Sequence, residues 1–71
     1  MSQPITRAVI IGRTETHWQR ARYWAGAGVH SHARDEARAA LSWACRDAAT
    51  RDLMRPRILT FIARHGGRTT R

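Results

Sequence analysis

The chain has 71 residues and a formal net charge of +8, with thirteen arginines, no lysine and five acidic residues. A chain this short holds one domain around a limited core, which excludes a second domain. The single Cys45 cannot form an internal disulfide, and the longest apolar run, residues 8–11, is far too short to span a bilayer. We therefore expect a single small basic domain over residues 1–71, with a short basic tail at 66–71, located in the cytoplasm and not in a membrane.

The first predicted element is a short N-terminal strand at residues 5–11, where β-branched side chains predominate before Gly12. One strand cannot satisfy its own backbone hydrogen bonds, and so small an apolar inventory seldom supports a monomer. We therefore expect the fold to be completed by dimerisation or by an obligate partner. The predicted interface consists of Ile5, Val9, Ile11 and Trp43.

Three helices are predicted after the strand, at about residues 17–25, 32–51 and 56–65, so that the fold is mostly α. Thr16 and Gln19 have the spacing of a capping box, which indicates where the first helix begins.

The limits of the second helix depend on Ser31, a favourable N-cap, and on Pro56, which disfavours helical geometry at the residue before it. Between them, alanines recur at helical spacing. An alanine stripe permits close helix approach but buries little area, so we expect large side chains from the facing elements to cover it. The candidates are Trp18, Trp24 and Phe61.

The excess positive charge lies at the two ends of the sequence. Residues 1–34 carry a net charge of +4, residues 35–54 of −1 and residues 55–71 of +5. So basic a domain is expected to bind a polyanion, through arginines that contact successive phosphates. The alternative is a charged face that only keeps the protein solvated. The predicted contacts in the last helix and tail are Arg57, Thr60, Arg64, Arg68 and Arg71.

Residues 17–24 interleave cationic and aromatic side chains, a pattern that is typical of single-stranded nucleic-acid binding. On a helical wheel, however, Trp18 and Trp24 fall on the apolar side, which favours core packing for both. The predicted surface contacts are therefore Arg20, Arg22 and Tyr23.

The four histidines and Cys45 are potential metal ligands. His30 and His32 form the only closely spaced pair, and this spacing is not that of a structural zinc site. No phosphate-binding loop, carboxylate pair or Ser-His-Asp arrangement is present in the sequence. We therefore expect no metal, no cofactor and no enzymatic activity.

The first functional hypothesis is a small dimeric DNA-binding regulator, of the kind that mobile elements and bacterial operons carry, with DNA preferred to RNA. The predicted strand followed by helices resembles the element order of ribbon-helix-helix repressors, whose paired strands read the major groove. Gly28 and Val29, before the helix capped by Ser31, are similar to the turn of that family. Helix-turn-helix docking through Arg57, Thr60 and Arg64 is the alternative geometry.

The second hypothesis is a non-enzymatic protein-binding module. It would be an inhibitor or adaptor of phage type, including anti-defence proteins, that docks on a larger protein or ribonucleoprotein complex. The thin core and the three tryptophans favour this hypothesis, because tryptophan and arginine are common anchors of protein interfaces.

Overall fold

A computed structural model describes residues 4–67 of the chain. Its elements are α1 (Arg7–Gly26), α2 (His30–Ala44) and α3 (Ala48–Ile62), followed by a π-helical segment (Ala63–Gly67). The prediction of a mostly α fold is confirmed. None of its helices is long and apolar enough to cross a membrane.

The three helices form an elongated up-down-up bundle. The rings of His30 and His65 stack with their centroids 5.7 Å apart, which joins the start of α2 to the segment that follows α3. Nε of Arg7 lies 3.3 Å from Oδ2 of Asp47, which joins the starts of α1 and α3. The helices are therefore antiparallel in sequence order, and α1 and α3 run in the same direction. The described residues extend over 46 × 22 × 17 Å.

The predicted N-terminal strand at 5–11 is wrong, because α1 begins at Arg7 and the described residues contain no strand. Thr6 is the N-cap, and its hydroxyl accepts a hydrogen bond of 3.3 Å from the backbone N–H of Val9. The β-branched residues lower helix propensity by less than about 1 kcal/mol each, and burial of Ile10 against the bundle offsets that cost. Tertiary packing thus overrides the local preference for a strand.

The predicted starts of the first two helices also need correction. Thr16 lies inside α1, where its hydroxyl donates to the carbonyl of Gly12 at 2.9 Å, so it caps no helix. Val29 occupies the N-cap position of α2 without a side-chain hydrogen bond, and Ser31 lies within the first turn. Gly28 has a φ of 80°, a left-handed conformation that favours glycine and turns the chain between α1 and α2.

The break between the second and third helices lies at residues 45–47 and not beside Pro56 as predicted. Asp47 is the cause, because its carboxylate caps α3 by accepting hydrogen bonds from the backbone N–H of Thr50 at 3.0 Å and from its hydroxyl at 2.7 Å. Pro56 lies inside α3 at an exposed position. There the lost backbone hydrogen bond faces solvent, which can satisfy the acceptor.

The same hydrogen bonds make this cap sensitive to pH. Thr50 first, and then the guanidinium of Arg7, lower the pKa of Asp47 below its ordinary value of 3.8. Since the pKa is lower in the folded than in the unfolded state, the carboxylate stabilises the fold at pH values above its ordinary pKa. That contribution is lost as the pH falls through the lower, folded-state value.

The core forms where the three helices meet. Ala37 and Ala40 of α2, Ala21 of α1 and Ile58 of α3 have no exposed surface. The predicted alanine stripe is therefore confirmed as a contact surface. Two of the predicted covering side chains, Trp18 and Phe61, pack against this cluster, and their ring centroids lie 5.1 Å apart in an edge-to-face arrangement.

Ile58 is the only large side chain among the described residues that is completely buried, so the bundle should be most sensitive to its truncation. We expect Ile58→Ala to lower the free energy of unfolding by about 2–5 kcal/mol, measured by urea denaturation followed through tryptophan fluorescence. The neighbouring Leu59 is 43% exposed and provides the control, for which Leu59→Ala should have a much smaller effect. Equal effects of the two substitutions would contradict this account of the core.

Candidate functional site

A groove of about 490 Å³ lies between α1 and α3 on the side of the bundle away from α2. Its walls come from both helices, and its lining on α1 extends from Arg7 to Arg22. At 1.5 Å per residue, this distance corresponds to about 22 Å, or four helical turns. The groove is thus an elongated channel along the bundle, the shape that suits an extended or helical ligand.

Three guanidinium groups and one carboxylate line the groove. Arg7 and Arg22 belong to α1, Arg57 belongs to α3, and Glu15 supplies the carboxylate. Arg7 is paired with Asp47, whereas neither Arg22 nor Arg57 forms an ion pair with any residue in 4–67. Two cations without an ion pair among the described residues therefore line opposite walls of the groove.

Between the charged groups, the lining combines large apolar side chains with the polar Thr14, Gln19 and Thr50. Ile11 and Trp18 contribute from α1, and Leu53 and Met54 contribute from α3. Ile11 is 41% exposed and Leu53 is 56% exposed, high values for large aliphatic side chains that line a concave surface. A ligand that covers such side chains removes apolar surface from water, and this burial favours binding.

Thr14 lies in the groove lining and is only 2% exposed. Its hydroxyl has no hydrogen-bond partner among the described residues, although it is buried. An unsatisfied buried hydroxyl costs about 1–3 kcal/mol, so Thr14 lowers the stability of the described bundle.

Only two of the residues predicted to contact nucleic acid belong to the groove. They are Arg22 and Arg57, which both line it. Arg20 is two residues from Arg22, about 160° away around α1, so it points elsewhere, and Tyr23 is exposed outside the groove lining. Thr60 and Arg64 are exposed but do not line the groove, and Arg68 and Arg71 lie outside the described residues.

The residues predicted to form an interface do not share one surface. Val9 and Ile11 are both exposed, but two residues of helix separate them, so they lie on nearly opposite sides of α1. Ile5 precedes the helix and is exposed as well. Trp43 is partly buried, and the guanidinium of Arg46 stacks 4.4 Å from its ring centroid.

The histidines take part in packing and hydrogen bonding. Nδ1 of His17 donates to Oε1 of Glu36 at 2.6 Å, which ties α1 to α2, and His32 packs edge-on against Trp24 at 4.9 Å. Cys45 is exposed in the turn after α2. Within residues 4–67, no group of three or more potential metal ligands is close enough to hold an ion.

Nine of the twelve residues that line the groove were absent from the predicted site, among them Arg7, Thr14, Leu53 and Met54. Arg7 was not predicted because it lies in residues 5–11, for which the sequence predicted a strand. Leu53 and Met54 were placed between two predicted helices, although they lie in the second turn of α3. The Asp47 and Thr50 pair was the signal that could have located them, because it is a helix start at N-cap spacing.

Fold and site together define a small basic three-helix bundle with an arginine-lined apolar groove. Comparison with protein-family models, with curated proteins and with solved structures finds no match to the chain.

Two threonines provide a matched test of the unsatisfied hydroxyl. Thr14→Val removes a hydroxyl without a partner and should raise the free energy of unfolding by about 1 kcal/mol. Thr50→Val removes the hydroxyl that donates to Asp47 and should lower it. Thermal unfolding followed by circular dichroism measures both changes. A loss of stability in Thr14→Val would mean that its hydroxyl makes a stabilising interaction in the unliganded protein.

Proposed function

We propose that the chain is a non-enzymatic protein-binding module that docks on a larger protein through the groove between α1 and α3. The observation that supports this proposal is the combination of exposed aliphatic side chains, Ile11 and Leu53, with unpaired arginines on the two walls. Protein interfaces commonly have an apolar centre surrounded by polar and charged groups, with arginine among the favoured anchors.

The geometry also weakens the two ways of reading duplex DNA that the sequence suggested. A ribbon-helix-helix arrangement needs a paired N-terminal strand, and residues 7–11 are helical. A helix-turn-helix needs two helices that cross at about 90–120°. Here the stacking of His30 on His65 requires α2 and α3 to run back along each other.

Nucleic-acid binding is the second candidate function. The observation in its favour is that Arg20, Arg22, Arg57 and Arg64 are all exposed and form no ion pair within residues 4–67. Such groups can contact phosphates without base recognition, and the resulting affinity falls steeply as the salt concentration rises.

Site-specific photo-crosslinking tests the proposed function. A photoreactive amino acid is placed at Leu53, in the groove, or at Leu59, which is also exposed on α3 but faces another side. The two variants are then irradiated in the native host cells. We expect a discrete protein adduct at position 53 that is absent at position 59. Adducts of equal yield at both positions, or nucleic-acid adducts at position 53, would contradict the proposal.

The second candidate has its own measurement. Fluorescence anisotropy of labelled duplex DNA, single-stranded DNA and RNA is recorded with the protein at low and at moderate salt. We expect weak binding that is equal for the three probes and is lost at moderate salt, as for a non-specific basic surface. Tight binding that prefers one probe and survives moderate salt would instead establish a nucleic-acid reader.

A further inference from the structure

The shape of the groove sets the size of its occupant. In an up-down-up bundle, α1 and α3 run in the same direction and flank α2, so a fourth helix laid between them would complete a four-helix arrangement. The lining spans about four turns of α1, which corresponds to a partner helix of about 15 residues. We propose that this groove binds an acidic amphipathic helix of a partner protein, an inference that rests on the proposed function.

The floor of the groove determines the apolar face of that helix. Ile11 and Leu53 project from opposite walls, and Trp18 and Met54 lie deeper between them. A helix with apolar residues at positions i, i+3, i+4 and i+7 presents one continuous stripe to such a floor. Only an amphipathic helix, with its other face in water, would match this one-sided surface.

The walls determine the charge of the partner. Arg22 on α1 and Arg57 on α3 lack ion pairs within residues 4–67, and Glu15 is the only carboxylate in the lining. A helix in the groove would place the residues that flank its apolar stripe beside these two guanidiniums. Acidic residues there form ion pairs of the kind that select partners in coiled coils, whereas basic residues would be repelled.

Two other occupants fit less well. A second copy of the chain carries the same net charge of +8, so its helices would bring further arginines to walls that are already cationic. Single-stranded nucleic acid needs aromatic faces on which bases can stack. Trp18 is the only aromatic residue in the lining, and it packs against Phe61 in the core. The other apolar side chains of the lining, Ile11, Leu53 and Met54 among them, offer no ring on which a base could stack.

The test uses two fluorescent peptides of about 15 residues that are chemically stapled, since unstapled helices of this length are marginal in water. Both carry the same leucine stripe. One has glutamates beside the stripe, and the other has lysines at the same positions. We expect the full chain to bind the glutamate peptide about tenfold or more tightly than the lysine peptide in an anisotropy titration at low salt.

Charge reversal locates the binding site. The double variant Arg22→Glu with Arg57→Glu should lose binding to the glutamate peptide and gain binding to the lysine peptide. Arg20→Glu with Arg55→Glu removes the same net charge at exposed positions outside the groove lining and should keep the original preference. Circular dichroism checks that both double variants remain helical.

Three results would overturn the inference. They are equal binding of the two peptides, equal behaviour of the two double variants, and displacement of the glutamate peptide by single-stranded DNA but not by unlabelled peptide. Absence of binding by either peptide, with a protein adduct still formed at position 53, would reject the acidic helix and leave the proposed function standing. Failure of both experiments would reject the two together.

Discussion

The close approach of helices along the alanine face of α2 is the constraint on which the rest of the structure depends. Ala33, Ala37, Ala40 and Ala44 have no exposed surface, although each side chain is a single methyl group. Small side chains allow the neighbouring backbones to come close, so α1 and α3 are both held against one helix. The large side chains, Ile58 and Trp18 among them, are supplied by these neighbours. Because α1 and α3 both pack mainly against α2 and not against each other, a groove remains between them.

The alanine pattern could be predicted from the sequence because residues on the buried face of a helix recur with the helical period. The N-terminal strand could not be judged in the same way. Val9, Ile10 and Ile11 favour a strand locally, but one strand has no partner within the chain, while a helix satisfies its own backbone and lets Ile10 reach the core. The preference of these three residues for a strand is smaller than the stabilisation that the helix gains from its own hydrogen bonds and from burial of Ile10. The break at 45–47 was not predicted for a related reason, since Pro56 is a stronger local signal for a helix boundary than the Asp47 cap.

The candidate site was only partly visible in the sequence because its two walls are 27 or more residues apart. Charge placement identified Arg22 and Arg57 separately, but nothing in their spacing showed that they line one groove. Helical phase explains why Arg20, two residues from Arg22, does not join them. Side chains two residues apart on a helix point in nearly opposite directions, so a basic segment of sequence does not by itself form one basic surface. Only the folded structure shows which of the exposed arginines line the groove.

The small core and the exposed groove are related, because apolar side chains that the core does not bury line the groove. A bundle with Ile58 as its one completely buried large side chain in the described residues gains little free energy from burial, while Ile11 and Leu53 stay exposed and Thr14 keeps an unsatisfied hydroxyl. An occupant that covers Ile11 and Leu53 would supply the apolar contact that the chain lacks. It would also stabilise the folded state by mass action, by about 2.7 kcal/mol at a ligand concentration one hundred times its dissociation constant. That gain is a large fraction of the stability of a typical small domain. If the groove binds a partner as proposed, binding would therefore be coupled to the stability of the fold.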